Sequence, residues 1–298
     1  DGWSIAVLPF ANISAGEDTG YISEGLTEEV IMSLSKLSKL SVISRSATMQ
    51  YVHEGKSHKD MANDLGVRYL IEGGVRCVGK EIRITVQLID ALNQVYLWAD
   101  SYRGTIDDIF EIQEEVAGEI VRALRVRLTT DEQTGLRKRY TESTEAYQLY
   151  LRGRFSWNKR SEAGIRNAIR YFEEAIEKDP EYALAWAGIA DCYTVLGEYG
   201  RVPRKQLLPK AREAVDRALE LDDSLAEAHC SNAVLLMMED WDWESSAIAY
   251  ETAIRLNPNY ATAYHWYAQG FESKGRIEEA VRYAAKAAEL DPVSKAIQ

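Results

Sequence analysis

The chain opens on an apolar run, Ser4-Ile-Ala-Val-Leu-Pro-Phe10, closed by Ala11-Asn-Ile-Ser-Ala-Gly16, which predicts a buried strand followed by a loop. From Ser23 to Leu37 the period changes. Leu26, Val30, Ile31, Leu34 and Leu37 recur at helical steps, predicting a helix whose apolar stripe faces a sheet. Glu24, Glu28 and Glu29 suit the positive N-terminal end of that helix. Leu40-Ser-Val-Ile-Ser44 predicts a second strand, and Ser57 to Leu65 a short helix stopped by Gly66. Then come three strands, Val67 to Val78, Ile82 to Ile89 and Val95 to Tyr102, joined by turns at Gly79-Lys80 and Ala91 to Gln94. Alternation in the middle one sets Ile82, Ile84, Val86 and Leu88 on one face. Asp107 to Leu128 predicts one long amphipathic helix carrying Ile109, Ile112, Val116, Ile120 and Leu124.

The order strand, helix, strand, helix, three strands, helix predicts an α/β domain with one mixed sheet. Ala6-Val-Leu-Pro-Phe10, Tyr21 to Glu29, Leu65 to Arg76, Gln87-Leu-Ile-Asp90 and Leu97-Trp-Ala99 resemble, in the same order, the TolB-like amino-terminal domain of bacterial signalling proteins. The resemblance spans about residues 3 to 128. It implies a domain fused to cytoplasmic class III adenylate cyclases, Ser/Thr kinases or winged-helix regulators, and brings no agreed catalytic activity.

After a polar stretch, Thr129 to Thr144, read as a linker, a second grammar begins. Pro180, Asp223, Pro258 and Pro292 close units 43, 35 and 34 residues apart, each with an alanine five residues earlier: Ala175, Ala218, Ala253 and Ala287. A bulky residue followed four positions later by a small one also recurs: Trp186 and Ala190, His229 and Ala233, Tyr264 and Ala268. This pattern is identified as the tetratricopeptide repeat, about four copies over residues 145 to 298. A helical hairpin cannot bury its own apolar face, so stacked copies are expected to form a superhelix with a concave binding side. The first unit needs about three extra residues near Asn158 to Glu162 and the second about nine around Tyr199 to Leu207, both read as loop extensions. Val293 to Gln298 reads as the start of a further helix, so the array is expected to continue or to pack on another copy, which leaves a homodimer open.

Charge and composition narrow the function classes. The 298 residues are 46% hydrophobic and 28% charged, a globular composition. Thirty-five basic residues face 47 acidic ones, a formal net charge of −12 shared evenly by the two regions. Neither region has the net positive charge that nucleic-acid binding calls for, so no nucleic acid partner is expected. Cys77, Cys192 and Cys230 are too scattered for a redox pair or disulfide framework, which fits a reducing, cytoplasmic setting. No apolar run could span a bilayer, and the opening Asp1-Gly-Trp-Ser4 lacks the features of a signal peptide; it also lacks an initiator methionine, so the chain reads as a fragment of a longer one, with no membrane contact expected within these residues.

Motifs for chemistry are weak. Glu54-Gly-Lys-Ser57 lacks the earlier glycine of a phosphate-binding loop, since Gln50 stands there. Gly73-Gly74 reads as a bulge or close packing. His53, His58, His229 and His265 form no metal-binding pair, and His229-Cys230 point apart on a helix. Glu28-Glu29 and Asp107-Asp108 sit at helix starts, where the dipole already accounts for them. Cys192, in an Ala-rich helix, reads as a buried structural thiol. The expectation is no catalytic residue, no metal and no cofactor.

Binding is the expected function. With Gly153 at the small position of the first repeat helix, the family register projects Tyr147, Tyr150, Arg154, Trp157 and Asn158 toward the concave side. It adds Asp191 and Thr194, Cys230 and Met237, then His265, Gln269 and Glu272. These twelve form the candidate partner-binding groove, which would take an extended or helical protein segment from another chain or from the same one. The leading reading is a non-catalytic regulatory and interaction module of a larger bacterial signalling protein. The alternative is the C-terminal portion of an adenylate cyclase or Ser/Thr kinase whose catalytic domain lies outside these residues. A periplasmic assembly factor is a third option.

Overall fold

The computed structural model describes residues 3–14, 19–52, 55–200, 202–239 and 241–292. The chain divides into one unit of residues 1–138 with 258–261 and 284–298, and another of 139–257 with 262–283. Val293 to Gln298, expected to begin another helix, lie outside the described residues.

In the first unit the opening apolar run becomes β1 (Trp3–Val7), parallel to β3 (Leu40–Val42) on one side and β4 (Tyr69–Val78) on the other. β4, β5 (Glu81–Asp90) and β6 (Val95–Thr105) continue antiparallel, giving the order β3-β1-β4-β5-β6. This is the mixed sheet that the pattern predicts. Ala11–Asn12, read as loop, forms a short β2 parallel to β4. The reason lies opposite: a Cβ on Gly74 would stand 2.5 Å from the Ile13 Cδ1 atom, and one on Gly73 would stand 2.5 Å from the Thr85 carbonyl oxygen. The two glycines let backbone and side chains close on the strand, as close packing requires.

Two helices pack together beside this sheet, α1 (Gly20–Ser35) and α4 (Ile109–Ala123). Ile82, Ile84, Val86 and Leu88 of β5 are all buried, matching the predicted alternation. A separate apolar cluster joins Ala6 and Leu8 to Ala47 of α2 (Arg45–Met49) and to Met61, Ala62 and Leu65 of α3 (His58–Leu65). The ends of α3 follow from sequence: Ser57 Oγ accepts from the Asp60 amide, and Gly66 takes the left-handed conformation at φ 66°.

The helix expected from Asp107 to Leu128 is shorter. A 3-10 turn over Ile106–Asp108, boxed by Thr105 and Asp108, precedes α4. At the far end the Val126 amide reaches back to the Val121 carbonyl while Arg125 adopts φ 55°, a stop usually made by glycine and therefore hidden in the sequence. The stretch read as linker holds α5 (Thr130–Leu136), opened by a reciprocal Thr129–Glu132 cap. Glu132 Oε1 also accepts from the Ser38 amide and hydroxyl at 2.9 and 2.8 Å.

The β3 edge of the sheet is closed from far along the chain. Asn259 Oδ1 accepts from the Val42 amide at 3.1 Å, and its Nδ2 donates to the Ser35 and Leu40 carbonyls at 2.8 and 2.9 Å. The Ser44 amide donates to the Leu290 carbonyl at 2.8 Å.

The second unit is helical: α6 (Thr144–Trp157), α7 (Glu162–Lys178), α8 (Ala183–Tyr199), α9 (Arg204–Leu221), α10 (Ala226–Met238) and α11 (Trp243–Leu256), with most of α12 (Ala261–Ser273) and the start of α13 (Ile277–Leu290). α6 pairs with α7, α8 with α9 and α10 with α11 as hairpins. One cap recurs at every closing position. The amides of Asp179, Asp222, Asn257 and Asp291 each donate to the carbonyls of Ala175, Ala218, Ala253 and Ala287 at 2.9 Å, and all four alanines are fully buried. Proline next in sequence holds such a residue extended. Asp222 takes the same extended conformation although Asp223 replaces the proline. The extra residues of the second unit are not purely loop. They lengthen α8 to 17 and α9 to 18 residues, against 13 and 14 in α10 and α11.

Candidate functional site

Close approach of α6 and α7 depends on one missing side chain. A Cβ on Gly153 would stand 2.4 Å from the Phe172 ring, and one on Gly188 2.7 Å from the same ring. Gly153 thus occupies the small position assigned to it, and Phe172 of α7 fills the space. Two of the three bulky positions make the same contact. Trp186 Nε1 donates to the Pro180 carbonyl at 3.2 Å, and His229 Nε2 lies 2.8 Å from the Asp223 carbonyl, six residues back in both cases. An Nε2–H tautomer donates there, so His229 does the work of the tryptophan one repeat earlier.

The predicted groove residues divide by burial. Tyr147, Tyr150, Asp191 and Cys230 are buried; Arg154, Trp157, Asn158, Thr194, Met237 and His265 are half-buried; Gln269 and Glu272 are exposed. Tyr150 packs its ring against Phe172 and Tyr182 at 5.7 and 5.3 Å, so it is an anchor between helices. Thr194 Oγ1 bonds back to the Ala190 carbonyl at 2.8 Å, and the Asn158 amide closes α6 on the Arg154 carbonyl. Met237 Sδ lies 3.6 Å from where a Cβ on Gly270 would stand. His265 and Gln269 touch at 3.3 Å through their side-chain nitrogens.

Three of the first helices of successive repeats share a polar lane. Arg154 Nη1 of α6 lies 3.6 Å from Asp191 Oδ2 of α8, and Ser231 Oγ of α10 donates to Asp191 Oδ1 at 2.8 Å. The Arg154 guanidinium also lies over the Trp157 ring at 4.6 Å, with Arg160 over the same ring at 3.5 Å. Burial pushes the Asp191 carboxyl up to about 6; Arg154 and the Ser231 hydroxyl pull the other way, and Glu227 adds to the rise. Cys192 is raised by burial and by the adjacent Asp191 charge, so its thiol stays protonated and unreactive.

Ser231 was not among the expected residues, because the register places it behind the lane; only the contact with Asp191 reveals it. An aromatic cluster was also missed. Tyr250 and Tyr267 stack at 5.0 Å, Tyr267 meets Phe271 at 4.4 Å, and Tyr283 lies 4.7 Å from Tyr267. These residues sit at core positions of α11, α12 and α13, a signal that periodicity carries but that aromatic spacing alone does not single out. Among the described residues, no three His, Cys, Asp or Glu side chains gather as a metal ion needs, and no helix is long and apolar enough to cross a membrane.

Residues 1–118 match the family described as the HilA/YgeH-like transcriptional regulator, second domain, and residues 162–201 and 242–295 match the tetratricopeptide repeat. A Rhizobium meliloti (strain 1021) protein named "Putative adenylate cyclase 3" is 36% identical over 240 residues, covering 78% of this chain and 40% of that protein. Transcriptional regulator HilA of Salmonella typhimurium is 20% identical over 297 residues, 98% of this chain and 52% of the relative. The chain therefore spans about half or less of the length of these curated relatives. Among solved structures, the thermophilic TPR protein TTC0263 of Thermus thermophilus aligns at a TM-score of 0.42 with 17% identity, covering 63% of this chain and 88% of that one. TolB from Acinetobacter baumannii aligns at 0.32 with 17% identity, covering 42% of this chain and 28% of that one. The chain is a mixed-sheet α/β region followed by tetratricopeptide repeats.

Proposed function

We propose that this chain is a regulatory and interaction module of a larger signalling protein, and that its repeat region holds an extended or helical protein segment along α6, α8, α10 and α12. The Arg154–Asp191–Ser231 lane carries this reading. It links first helices of three successive repeats, and the family register turns two of its members, Arg154 and Asp191, toward a partner while Ser231 supports Asp191 from behind. Tetratricopeptide repeats are interaction folds, which supports the same reading at a coarser level.

The relatives support the regulatory part. One is named for cyclase activity and the other for transcriptional regulation, yet each aligns with most or all of this chain over a part of its length. A region shared by proteins of different output is expected to serve control, and the reaction or DNA contact is expected in the remainder of the parent. The α/β region would then relay occupancy of the repeats to that output, through a difference in affinity between two states.

Peptides selected from a display library against the whole chain test the groove. Substituting half-buried or exposed positions, Asn158→Ala with Gln269→Ala and Glu272→Lys, is expected to weaken selected peptides at least tenfold with helicity retained. Unchanged affinity of every selected peptide would refute the groove assignment. Cyclic AMP formation from ATP and Mg²⁺ by the purified chain would refute the non-catalytic reading and favour the cyclase alternative.

A further inference from the structure

The loop between α10 and α11 presents its largest side chain to water. Trp241 is 72% exposed and sits at φ 53°, a left-handed backbone conformation that a bulky residue rarely adopts. The left-handed turn helps close the end of α10, as Arg125 does for α4, but an exposed tryptophan there gives up its burial and carries strain that a glycine would avoid. Strain of this kind persists where surrounding structure fixes it, and it concentrates at binding sites. Here the fixing groups are visible. The Asp242 amide donates to the Leu236 carbonyl at 3.0 Å, and Asp242 Oδ1 accepts from the Ser245 amide at 3.0 Å as the cap of α11.

Trp241 meets Trp243 edge to face, with ring centroids 6.5 Å apart and planes at 64°. The pair forms an aromatic corner. Lys274 already lies over the Trp243 ring at 5.1 Å, so one wall holds an ammonium group while the other is bare to solvent. Asp242 lies between the two tryptophans in sequence and Glu244 directly after them, and hydrogen bonds from Ser245 keep the Asp242 carboxyl below its ordinary range and hence charged. An electron-rich ring face beside carboxylates attracts cations.

We infer that the Trp241–Trp243 corner is a docking point for a lysine or arginine side chain of a partner protein. The inference is separate from the groove reading, since it uses the α10–α11 loop and no residue of the polar lane. Apolar docking alone would not need the flanking carboxylates, and an acidic partner would be repelled by them. The occupied Trp243 face shows which chemistry this corner accepts.

The test uses the whole chain carrying 5-fluorotryptophan, whose seven tryptophans give separate fluorine signals. Trp241→Phe assigns the Trp241 signal by its loss. Titration with acetyl-tetralysine amide is expected to move that signal, whereas acetyl-tetraglutamate amide leaves it in place. Trp241→Leu keeps the charge and an apolar side chain but removes the ring, so it should weaken tetralysine binding about two- to fivefold. Circular dichroism confirms that the variant is folded. A Trp241 signal that stays fixed while tetralysine binds, or equal affinity of the Trp241→Leu variant, would overturn the inference. Binding of tetraglutamate at the same signal would overturn its sign.

Discussion

Asp191 makes the pH dependence of the repeat region opposite to that of most carboxylates. A carboxyl whose folded value rises from 3.8 to about 6 binds its proton more tightly in the folded state, so folding favours the neutral form. The stabilising effect of that proton is complete below pH ~4, falls as pH climbs through about 6, and is gone above it. At about 1.4 kcal/mol per pKa unit, the difference amounts to about 3 kcal/mol between pH 4 and pH 7. The charge is tolerated at neutral pH because Arg154 and Ser231 engage both carboxylate oxygens. Asp191→Asn mimics the protonated form and still accepts from Ser231, so urea unfolding should show the variant and the wild type alike near pH 4. The variant should then gain by up to about 3 kcal/mol at pH 7. Every other titrating group is shared, so the difference between the two curves isolates this one. A difference that stays flat from pH 4 to 7, or a carbon-13 signal of the Asp191 carboxyl titrating near 4, would refute the argument.

Other predictions follow from single contacts. Asn259→Ala removes three hydrogen bonds to backbone groups around β3 and leaves the buried Val42 amide without its acceptor, so it should destabilise the first unit by about 2–4 kcal/mol. Faster exchange of the Val42 amide would report this directly, and unchanged protection would disprove it. Gly153→Val forces a branched side chain against Phe172 and should cost about 1–3 kcal/mol, measured as a lower urea midpoint. Pairing it with Phe172→Ala should restore part of the loss. His229→Ala should cost about 1 kcal/mol through the bond to the Asp223 carbonyl, whereas His229→Trp should be close to neutral because Trp186 makes the equivalent bond.

Much of this architecture is legible in the sequence because it rests on local rules. Gly66 stops α3, Ser57 starts it, the alternation of β5 separates its faces, and the alanines at the closing positions mark each repeat. Other features are written in contacts that no local pattern exposes. Arg125 ends α4 in a conformation that its residue type does not advertise. Glu132 converts an apparent linker into an ordered helix through bonds to Ser38, 94 positions away in sequence. Asn259 looks like an ordinary turn residue between Pro258 and Tyr260, and its role emerges only where Val42, Ser35 and Leu40 meet it. For the groove, register alone selects a lane of side chains; burial then separates packing anchors such as Tyr150 from side chains open to a partner, such as Gln269.

That separation changes where recognition along the lane is expected. The residue following the small position is Arg154, Asp191, Val234 and Gln269 in the four repeats, a cation, an anion, an apolar group and an amide. Of these four, only Gln269 has an exposed side chain. The first two members already satisfy each other, and Val234 is buried. A ligand competing for Arg154 would have to leave Asp191 with a buried charge and without its cation, at a cost of several kcal/mol. Displacement there is therefore more expensive than binding near Gln269 and Glu272, whose side chains are exposed. Affinity should accordingly respond more to Gln269→Ala and Glu272→Lys than to Asn158→Ala. If Asn158→Ala alone abolished peptide capture, while the two substitutions on α12 did nothing, the binding end would be the opposite one.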